Sequence, residues 1–260
     1  MKLRPYQQKA MTQARAAFAA GAGSVLVVAP TGSGKTVLAA ACARSALDRG
    51  GRVLFIVPRR EIVHQTVAKL EAVGLDPSIV AAGLDRQHDP RLTVCMAQTM
   101  VRRPADCVQP PTLVIVDEAH LAVADTYRQI LERWPRARSL LLTATPCRSD
   151  GRGLGEIADS MIESTNVRSL IADGHLVAPV VWSAKTPDLK GIRKTVSGEL
   201  SPKAAGTRYT ASVILGDTID QIKQRCSDRT VLVFASSVDH SRALTEALTA
   251  AGYRAEHIDG

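Results

Sequence analysis

The sequence predicts a doubly wound α/β domain, in which helices cover both faces of a mainly parallel β-sheet. Short runs of apolar residues recur along the first part of the chain, and segments with helical spacing separate them. The runs are continuous rather than alternating, which is typical of parallel strands that are buried on both faces. The chain has 260 residues, 45% of them hydrophobic, so it can bury a sizeable core without disulfides.

The apolar runs predict five strands in the first 150 residues. They lie at Val25–Ala29, Val53–Val57, Leu92–Met96, Leu113–Val116 and Leu140–Leu142. Two sets of apolar residues recur at helical spacing, and they are Ile62, Val63, Val67 and Leu70, and Tyr127, Ile130, Leu131 and Trp134. Pro135 follows the second set and indicates the end of that helix. Strands and helices therefore alternate, as a doubly wound domain requires.

Beyond residue 150, the pattern predicts the remainder of the first domain and the beginning of a second. A helix is predicted near Val167–Ala172 and a strand at Val177–Trp182. A polar stretch rich in Gly and Pro at 185–206 predicts a linker. The segments after it predict helices and strands of an incomplete α/β lobe, namely Ser212–Cys226, Val231–Ala235, the segment from Val238 to Ala251, and Arg254–Ile258. The predicted domains are therefore 1–184 and 207–260, with the linker between them.

The distribution of charge is compatible with a polyanionic partner for the first part of the chain. The net charge is +8, and residues 1–150 carry all of the excess, with 20 Lys and Arg against 12 Asp and Glu. A nucleotide or a nucleic acid would suit this excess, although by itself an ordinary arginine-rich solvated surface is the simpler explanation. Aromatic residues make up only 3% of the chain, which disfavours a nucleic-acid binder built on base stacking.

The composition also disfavours membrane, secreted and zinc-binding proteins. No apolar run approaches the roughly 18 residues of a membrane span, and no secretory signal is recognisable at the start. The cysteines have no metal-ligand spacing, which predicts reduced thiols, and they are Cys42, Cys95, Cys107, Cys147 and Cys226. We therefore expect a cytoplasmic protein without membrane association.

A glycine-rich segment joins the first predicted strand to a helix, and its sequence is Ala29-Pro30-Thr31-Gly32-Ser33-Gly34-Lys35-Thr36. Bound phosphates need inward-pointing backbone N–H groups, which Gly32 and Gly34 permit because they lack a Cβ atom. The positive end of the following helix dipole would add to the attraction. Lys35 would reach the β- and γ-phosphates, and the Thr36 hydroxyl would ligate Mg²⁺. Although the strict pattern has Gly in place of Ala29, the flanking strand and helix favour a phosphate-binding loop over an accidental turn.

A second candidate site lies where the fourth predicted strand ends, at Asp117-Glu118-Ala119-His120. Because the carboxyl ends of parallel strands meet at one edge of a sheet, we expect these residues to face the phosphate-binding loop. Asp117 can hold Mg²⁺, and Glu118 can orient and deprotonate an attacking water. An isolated Asp-Glu pair after a strand is usually a solvated loop, but a phosphate-binding loop in the same chain favours the catalytic interpretation.

The order of these segments resembles the motor core of superfamily 2 helicases and translocases, and the resemblance covers nearly the whole chain. The segments that carry it are Leu3-Arg4-Pro5-Tyr6-Gln7, the phosphate-binding loop, Val57-Pro58-Arg59-Arg60-Glu61 with Gln65, Ala97-Gln98-Thr99, the DEAH segment at 117–120, Leu142-Thr143-Ala144-Thr145-Pro146, and Leu232-Val233-Phe234-Ala235. His120 and Thr143 favour the DNA-directed branch of restriction-enzyme motors, repair helicases and phage relatives over the RNA-directed DEAD-box proteins. The resemblance implies a RecA-like ATPase lobe and a partial second RecA-like lobe.

The resemblance also implies roles for individual residues. Arg4 and Gln7 correspond to the adenine-recognition element. Arg59 and Thr99 correspond to contacts with the nucleic-acid backbone. Three further residues correspond to the link between the nucleotide site and strand movement, and they are His120, Thr143 and Thr145. The implied reaction is Mg²⁺-dependent ATP hydrolysis coupled to movement of nucleic acid, in particular DNA.

The family pattern continues beyond the residues of this sequence. Its motifs V and VI, whose arginines reach the γ-phosphate, have no counterpart before Gly260. A further domain or polypeptide is therefore expected to supply them. Two alternatives stay open at this point: an ATP- and DNA-binding module that is inactive by itself, and a different P-loop phosphotransferase. The second requires the LRPYQ, DEAH and LTATP segments to be coincidental.

Overall fold

The structure is a computed structural model, and it describes residues 2–103, 109–121, 125–146, 153–182, 212–226 and 228–259. The chain forms two compact units, Met1–Ala178 and Pro179–Gly260. The predicted linker at 185–206 lies outside the described residues, so the predicted domain boundaries stay predictions. Within the described residues, no helix is both long enough and apolar enough to cross a membrane.

The first unit contains a seven-stranded sheet in which every neighbouring pair of strands is parallel. The strands are β1 (Ser24–Val28), β2 (Val53–Val57), β3 (Pro77–Val80), β4 (Asp89–Met96), β5 (Leu113–Val116), β6 (Arg138–Thr143) and β7 (Ser160–Glu163). Their order across the sheet is β3-β4-β2-β5-β6-β1-β7. This arrangement confirms the predicted α/β fold class.

Helices flank the sheet on both faces. They are α1 (Pro5–Ala19), α2 (Lys35–Leu47), α3 (Arg60–Glu71), α4 (Ala97–Arg102), α5 (Asp125–Arg133) and α6 (Val167–Ala172). One core cluster joins α1, α2 and α3 to side chains such as Val25, Val27 and Phe55. The other joins α4 and α5 to alternate side chains such as Leu26 and Ile56. Successive strand residues therefore serve opposite faces, which explains why the runs are continuously apolar.

All five strands predicted in the first 150 residues are present, with ends that differ by at most three residues. The helices expected around Val63 and Ile130 are α3 and α5. The five predicted strands do not include β3 or β7, which are the two edge strands of the sheet. Each of these edge strands has four residues and contains at least one polar side chain, so hydrophobic periodicity does not identify it as a strand.

The second unit contains two described helices, α7 (Ser212–Cys226) and α8 (Val238–Ala250), both of which were predicted. Ser237 caps α8, because its hydroxyl accepts a hydrogen bond from the His240 N–H. The strands predicted at Val231–Ala235 and Arg254–Ile258 are wrong, since neither segment forms a strand. Leu232 is 76% exposed and Phe234 88% exposed. Among the described residues, neither segment pairs with a strand, since all seven strands of the sheet belong to the first unit.

The strand predicted at Val177–Trp182 is also wrong, because this segment has no regular secondary structure. Val177 and Val181 are almost fully exposed. Apolar content alone therefore did not identify a strand, since a strand also needs a sheet edge with which to pair.

Candidate functional site

Sheet topology brings three candidate segments to one edge of the first unit. β5, β6 and β1 are consecutive neighbours in the sheet and run parallel. The DEAH segment follows β5, the LTATP segment continues from β6, and the phosphate-binding loop follows β1. The carboxyl ends of these strands therefore carry all three segments side by side, although 82 residues separate Lys35 from Asp117.

The phosphate-binding loop uses glycine where the backbone requires it. Gly32 has a φ of 81° and Gly34 a φ of 79°, both in the left-handed region that disfavours side chains. Gly34 is also the N-cap of α2, and no side chain caps the first turn of this helix. The free N–H groups at the start of α2 are therefore available to an anion, which the helix dipole would also attract.

Side chains from the first turn of α1 donate hydrogen bonds to the backbone of the phosphate-binding loop. The Gln7 amide nitrogen donates to the Ser33 carbonyl at 3.0 Å and to the Gly34 carbonyl at 3.3 Å. The Tyr6 hydroxyl donates to the same Ser33 carbonyl at 2.8 Å. A Cβ atom at Gly34 would lie 2.6 Å from the Gln7 amide nitrogen, so this contact also needs glycine.

Arg4 and Gln7, the two predicted adenine contacts, are bonded to each other and to α1. Gln7 is 3% exposed, and its carbonyl oxygen accepts from the Arg4 backbone N–H at 2.9 Å. The Arg4 guanidinium donates to the Tyr6 hydroxyl at 2.9 Å. Gln7 and Tyr6 thus bond to the phosphate-binding loop directly, and Arg4 is connected to it through Tyr6. Adenine recognition by Arg4 and Gln7 stays a prediction.

Lys35, the candidate phosphate ligand, lies in the first turn of α2 and is half-buried. Its ammonium group donates to the Ala29 carbonyl at 3.2 Å, at the start of the loop. The Ala29 N–H donates in turn to the Thr143 carbonyl at 2.9 Å, which extends the pairing between β1 and β6. Ala29 is thus buried against the sheet, and its methyl group is accommodated where the strict pattern has glycine.

Asp117 and Glu118 leave the end of β5 in different environments. Asp117 is buried, and its backbone N–H continues the sheet by donating to Ile56. Burial raises the pKa of the Asp117 carboxyl, and the neighbouring Glu118 charge adds to this, whereas the hydrogen bond from the Glu118 N–H and the charges of Lys35 and Lys69 oppose it. Neutralising cations would therefore favour the ionised form of Asp117.

Glu118 has a φ of 53°, and it is the one residue other than glycine with a positive φ in the described part of the chain. This conformation turns the chain sharply from β5 into a short 3-10 turn at Ala119–Leu121. A left-handed conformation costs a residue with a side chain about 1 kcal/mol, so the turn is mildly strained. The carboxylate is one-third exposed, and a reactant can therefore reach it.

His120 connects the DEAH segment to the LTATP segment. Its Nδ1 atom lies 3.3 Å from the Thr143 hydroxyl and 3.4 Å from a Glu118 carboxylate oxygen. The Thr143 hydroxyl donates to the Thr145 carbonyl at 2.9 Å and accepts from the Thr145 N–H at 3.1 Å. Because that hydroxyl hydrogen is already committed, Nδ1 is assigned as the donor to Thr143. The three predicted coupling residues thus form one network.

The donor groups at this edge fit a hard divalent cation. Thr36 offers a hydroxyl oxygen and Asp117 a carboxylate, which are the oxygen ligands that Mg²⁺ prefers. The described residues contain no cluster of three or more His, Cys, Asp or Glu side chains that could ligate a metal. Such a sparse protein set suits Mg²⁺ bound together with substrate phosphates.

The two predicted nucleic-acid contacts differ in accessibility. Arg59 is exposed immediately before α3. Thr99 is 6% exposed, and its hydroxyl accepts from the Ala82 N–H at 3.3 Å. The two roles stay predictions, and of the two residues Arg59 is the one whose side chain faces solvent.

Sequence patterns did not single out Tyr6 or Lys69. Tyr6 belongs to the LRPYQ segment, but its bond to Ser33 is a contact between residues 27 positions apart. Lys69 lies on α3, and its ammonium group reaches the Thr36 hydroxyl at 3.4 Å. No spacing rule marks either contact, because both arise from packing between separate elements.

Comparisons with known proteins agree with this geometry. The family model described as "Type III restriction enzyme, res subunit" matches residues 1–148. A "51.5 kDa protein" of a Lactococcus phage (isolate 7-9) is 29% identical over 90% of this chain and 48% of its own length. The "Putative ATP-dependent helicase IRC3" of Saccharomyces cerevisiae is 27% identical over 98% of this chain and 40% of its own length. The chain thus spans about half the length of these curated relatives, or less.

Among solved structures, the UvsW helicase from bacteriophage T4 has a similar fold. It superimposes with a TM-score of 0.52 at 18% identity, covering 63% of this chain and 60% of that chain. The motif order, the shared edge of the sheet and the family match lead to one conclusion. The chain belongs to the family of the type III restriction enzyme res subunit, within the superfamily 2 helicases and translocases.

Proposed function

We propose that this chain is the ATP-hydrolysing part of a motor that acts on nucleic acid, and specifically on DNA. The observation that supports this most is the convergence of three segments at one sheet edge: the phosphate-binding loop, Asp117-Glu118, and the His120–Thr143 pair. Family membership supports a helicase-type motor. His120 links the Glu118 carboxylate to Thr143 at the end of β6. A phosphotransferase that uses the same loop would not need this link.

In this proposal, the nucleotide phosphates lie against the start of α2. The backbone N–H groups and the Lys35 ammonium group stabilise the charge that develops on the transferred phosphoryl group. Lys35 would exchange its bond to the Ala29 carbonyl for one to phosphate. Thr36 and Asp117 would hold Mg²⁺, which neutralises phosphate charge when it is bound.

Glu118 is the proposed general base. Its carboxylate is accessible and lies beside Asp117, and it would accept a proton from the attacking water. The His120 Nδ1–H sits between the Glu118 carboxylate and the Thr143 hydroxyl. Displacement of the LTATP segment would therefore change the hydrogen bonding of the proposed base. This supplies a physical route by which nucleic acid could affect hydrolysis.

Nucleic-acid binding is proposed to be weak and largely independent of sequence. Residues 1–150 carry the whole basic excess, and the exposed Arg59 would contact backbone phosphate. Binding of this kind releases counterions, so the affinity should fall steeply as the salt concentration rises. A flat salt response or a strong preference for one sequence would contradict this part of the proposal.

A second candidate function is an ATP- and DNA-binding module that needs another polypeptide or domain for turnover. Its premise is that a charged group from outside these residues completes the site; the chain aligns with 48% and 40% of the two relatives described above. An arginine supplied by a partner contributes about 10³–10⁵ in rate at comparable phosphoryl-transfer sites. The module would bind ATP with Mg²⁺ and hydrolyse it slowly.

The test measures ATP binding and hydrolysis with no nucleic acid and with single- or double-stranded DNA or RNA. Lys35→Ala should weaken or abolish nucleotide binding, with Lys9→Ala on the exposed face of α1 as its control. Glu118→Gln should bind ATP but lose about 10²–10⁴ in turnover, as expected for a general base. Glu132→Gln, at an exposed position in α5, is the matched control.

The response of hydrolysis to DNA separates the two candidates. DNA-stimulated hydrolysis by the chain alone supports the motor, whereas ATP binding with slow, unstimulated hydrolysis supports the dependent module. Normal hydrolysis by Glu118→Gln would refute the role of this carboxylate. An unmodified chain that binds no nucleotide would refute both candidates.

A further inference from the structure

A lysine from outside the recognised segments reaches the metal side of the site. Lys69 lies on α3, and its ammonium group donates to the Thr36 hydroxyl at 3.4 Å. Its charge also acts on the buried Asp117 carboxyl. Thr36 and Asp117 are the two side chains that we assign to Mg²⁺. A second positive group therefore lies beside the pair of oxygen ligands, in addition to Lys35.

The two lysines differ in how firmly they are held. Lys35 is half-buried in the first turn of α2, and it is bonded to the Ala29 carbonyl. Lys69 is exposed, its bond to Thr36 is long, and its four-carbon stem is flexible. Lys69 can therefore withdraw into solvent at little cost, whereas Lys35 cannot leave without breaking the loop contact.

The charges at the site indicate when an ammonium group at the position of Lys69 is favourable. Asp117 and Glu118 place two carboxyl groups at the end of β5, and Lys35 and Lys69 supply two ammonium groups. When the nucleotide and its cation bind, Thr36 and Asp117 acquire a stronger positive partner. An ammonium group at the same position is then unfavourable, because like charges repel in a partly buried site.

We propose that Lys69 is a displaceable counter-ion, which occupies the place beside Thr36 and Asp117 until Mg²⁺ enters and which competes with Mg²⁺ for it. This inference rests on the proposed function, because it assigns Thr36 and Asp117 to the metal. Lys69 is a positioning residue and does not touch the phosphates. Its removal therefore favours metal binding, whereas removal of a phosphate ligand weakens nucleotide binding under all conditions.

The first experiment measures binding of a fluorescent ATP analogue at a series of free Mg²⁺ concentrations. It compares the unmodified chain with Lys69→Met and with Lys9→Met, an exposed lysine on α1. Lys69→Met should lower the half-saturating Mg²⁺ concentration about two- to fivefold, as expected for loss of one exposed charge. It should also weaken analogue binding in EDTA, because the site then lacks its resident cation. Lys9→Met should change neither quantity.

The second experiment uses the unmodified chain and needs no variant to fold. Brief acetylation of amines followed by mass spectrometry reports the reactivity of Lys69. Adding Mg²⁺ with a non-hydrolysable ATP analogue should increase this reactivity, because the ammonium group is released into solvent. Lys9 should react equally under both conditions, which provides an internal control.

The possible outcomes are distinct. An unchanged Mg²⁺ dependence in Lys69→Met overturns the inference. Weaker analogue binding at saturating Mg²⁺, or protection of Lys69 by the analogue, makes it a phosphate ligand and also overturns the inference. If the unmodified chain binds no nucleotide, the proposed function fails and this inference fails with it. Normal nucleotide binding together with an inert Lys69 refutes only the inference.

Discussion

His120 Nδ1 lies 3.3 Å from the Thr143 hydroxyl oxygen, and this contact joins the segment after β5 to the segment after β6. The same nitrogen lies 3.4 Å from a Glu118 carboxylate oxygen. The His120 imidazole therefore connects Glu118, the proposed general base, to Thr143 at the end of β6. A small displacement at Thr143 can alter the position of His120 and, with it, the hydrogen bonding of Glu118.

Thr143→Val tests this link, because it keeps the shape of the side chain and removes the hydroxyl. Thr143 is fully buried, and its loss leaves the Thr145 N–H and His120 without this partner. The free energy of unfolding should fall by about 1 to 3 kcal/mol, as expected for buried groups that lose a hydrogen bond. Stimulation of ATP hydrolysis by DNA should also fall, while ATP affinity stays the same. The exposed Thr12→Val is the control, and unchanged stimulation would contradict the link.

Gln7→Glu tests the contact between α1 and the phosphate-binding loop. The Gln7 amide donates to two loop carbonyls, whereas an ionised carboxylate would only repel them. We expect the free energy of unfolding to fall by about 1 to 3 kcal/mol and ATP binding to weaken. Gln8→Glu adds the same charge at an exposed position of the same helix. Chemical denaturation curves that coincide for the two variants would refute the role of Gln7.

Gly34→Ala separates backbone strain from steric contact. Gly34 and Gly50 have φ values of 79° and 77°, so alanine should cost about 1 to 2 kcal/mol at either position. Only at Gly34 would the new Cβ meet another group, the Gln7 amide at 2.6 Å, whereas nothing lies within 4 Å at Gly50. Gly34→Ala should therefore destabilise the chain more than Gly50→Ala, and it alone should weaken nucleotide binding. Equal thermal unfolding of the two variants would contradict this expectation.

Asp117 and Asp159 should affect stability with opposite signs as the pH changes. Burial raises the pKa of Asp117 above its ordinary value of 3.8, so the contribution of this group to stability falls as the pH rises from 3.8 through the raised pKa. The hydrogen bond from the Ser24 backbone N–H is the main cause that lowers the pKa of Asp159, with further bonds from Ser24 and Gly23. Asp159 therefore stabilises the fold above pH 3.8, and this contribution is lost as the pH falls through its lowered pKa.

Two asparagine variants test this difference by thermal unfolding. Asp117→Asn should raise the midpoint at neutral pH, and this gain should shrink as the pH falls through the raised pKa towards 3.8, because a growing fraction of Asp117 is then protonated in the unmodified chain. Asp159→Asn should lower the midpoint at neutral pH, and this loss should shrink in acid. Shifts of the same sign for the two variants at neutral pH would contradict the assigned environments.

The central strands and the candidate catalytic residues could be predicted because their signals are local. β2 and β5 have the bounds that their apolar runs indicated. The parallel arrangement then required the segments after β1 and β5 to meet at one edge, which is where Lys35 and Asp117 are found. Edge strand β3 was missed, because its four residues form too short a run to signal a strand.

The sequence by itself determined the strand–helix alternation and the residue types of the phosphate-binding loop and the DEAH segment. Tertiary structure decided which side chains complete the site: Gln7 and Tyr6 behind the loop, and Lys69 beside Thr36. It also decided that Val231–Ala235 is not a strand, despite its apolar composition. The physical reason is the same in each case. Periodicity reports which face of an element is buried, whereas strand pairing and side-chain contacts depend on what packing brings to that face from distant parts of the chain.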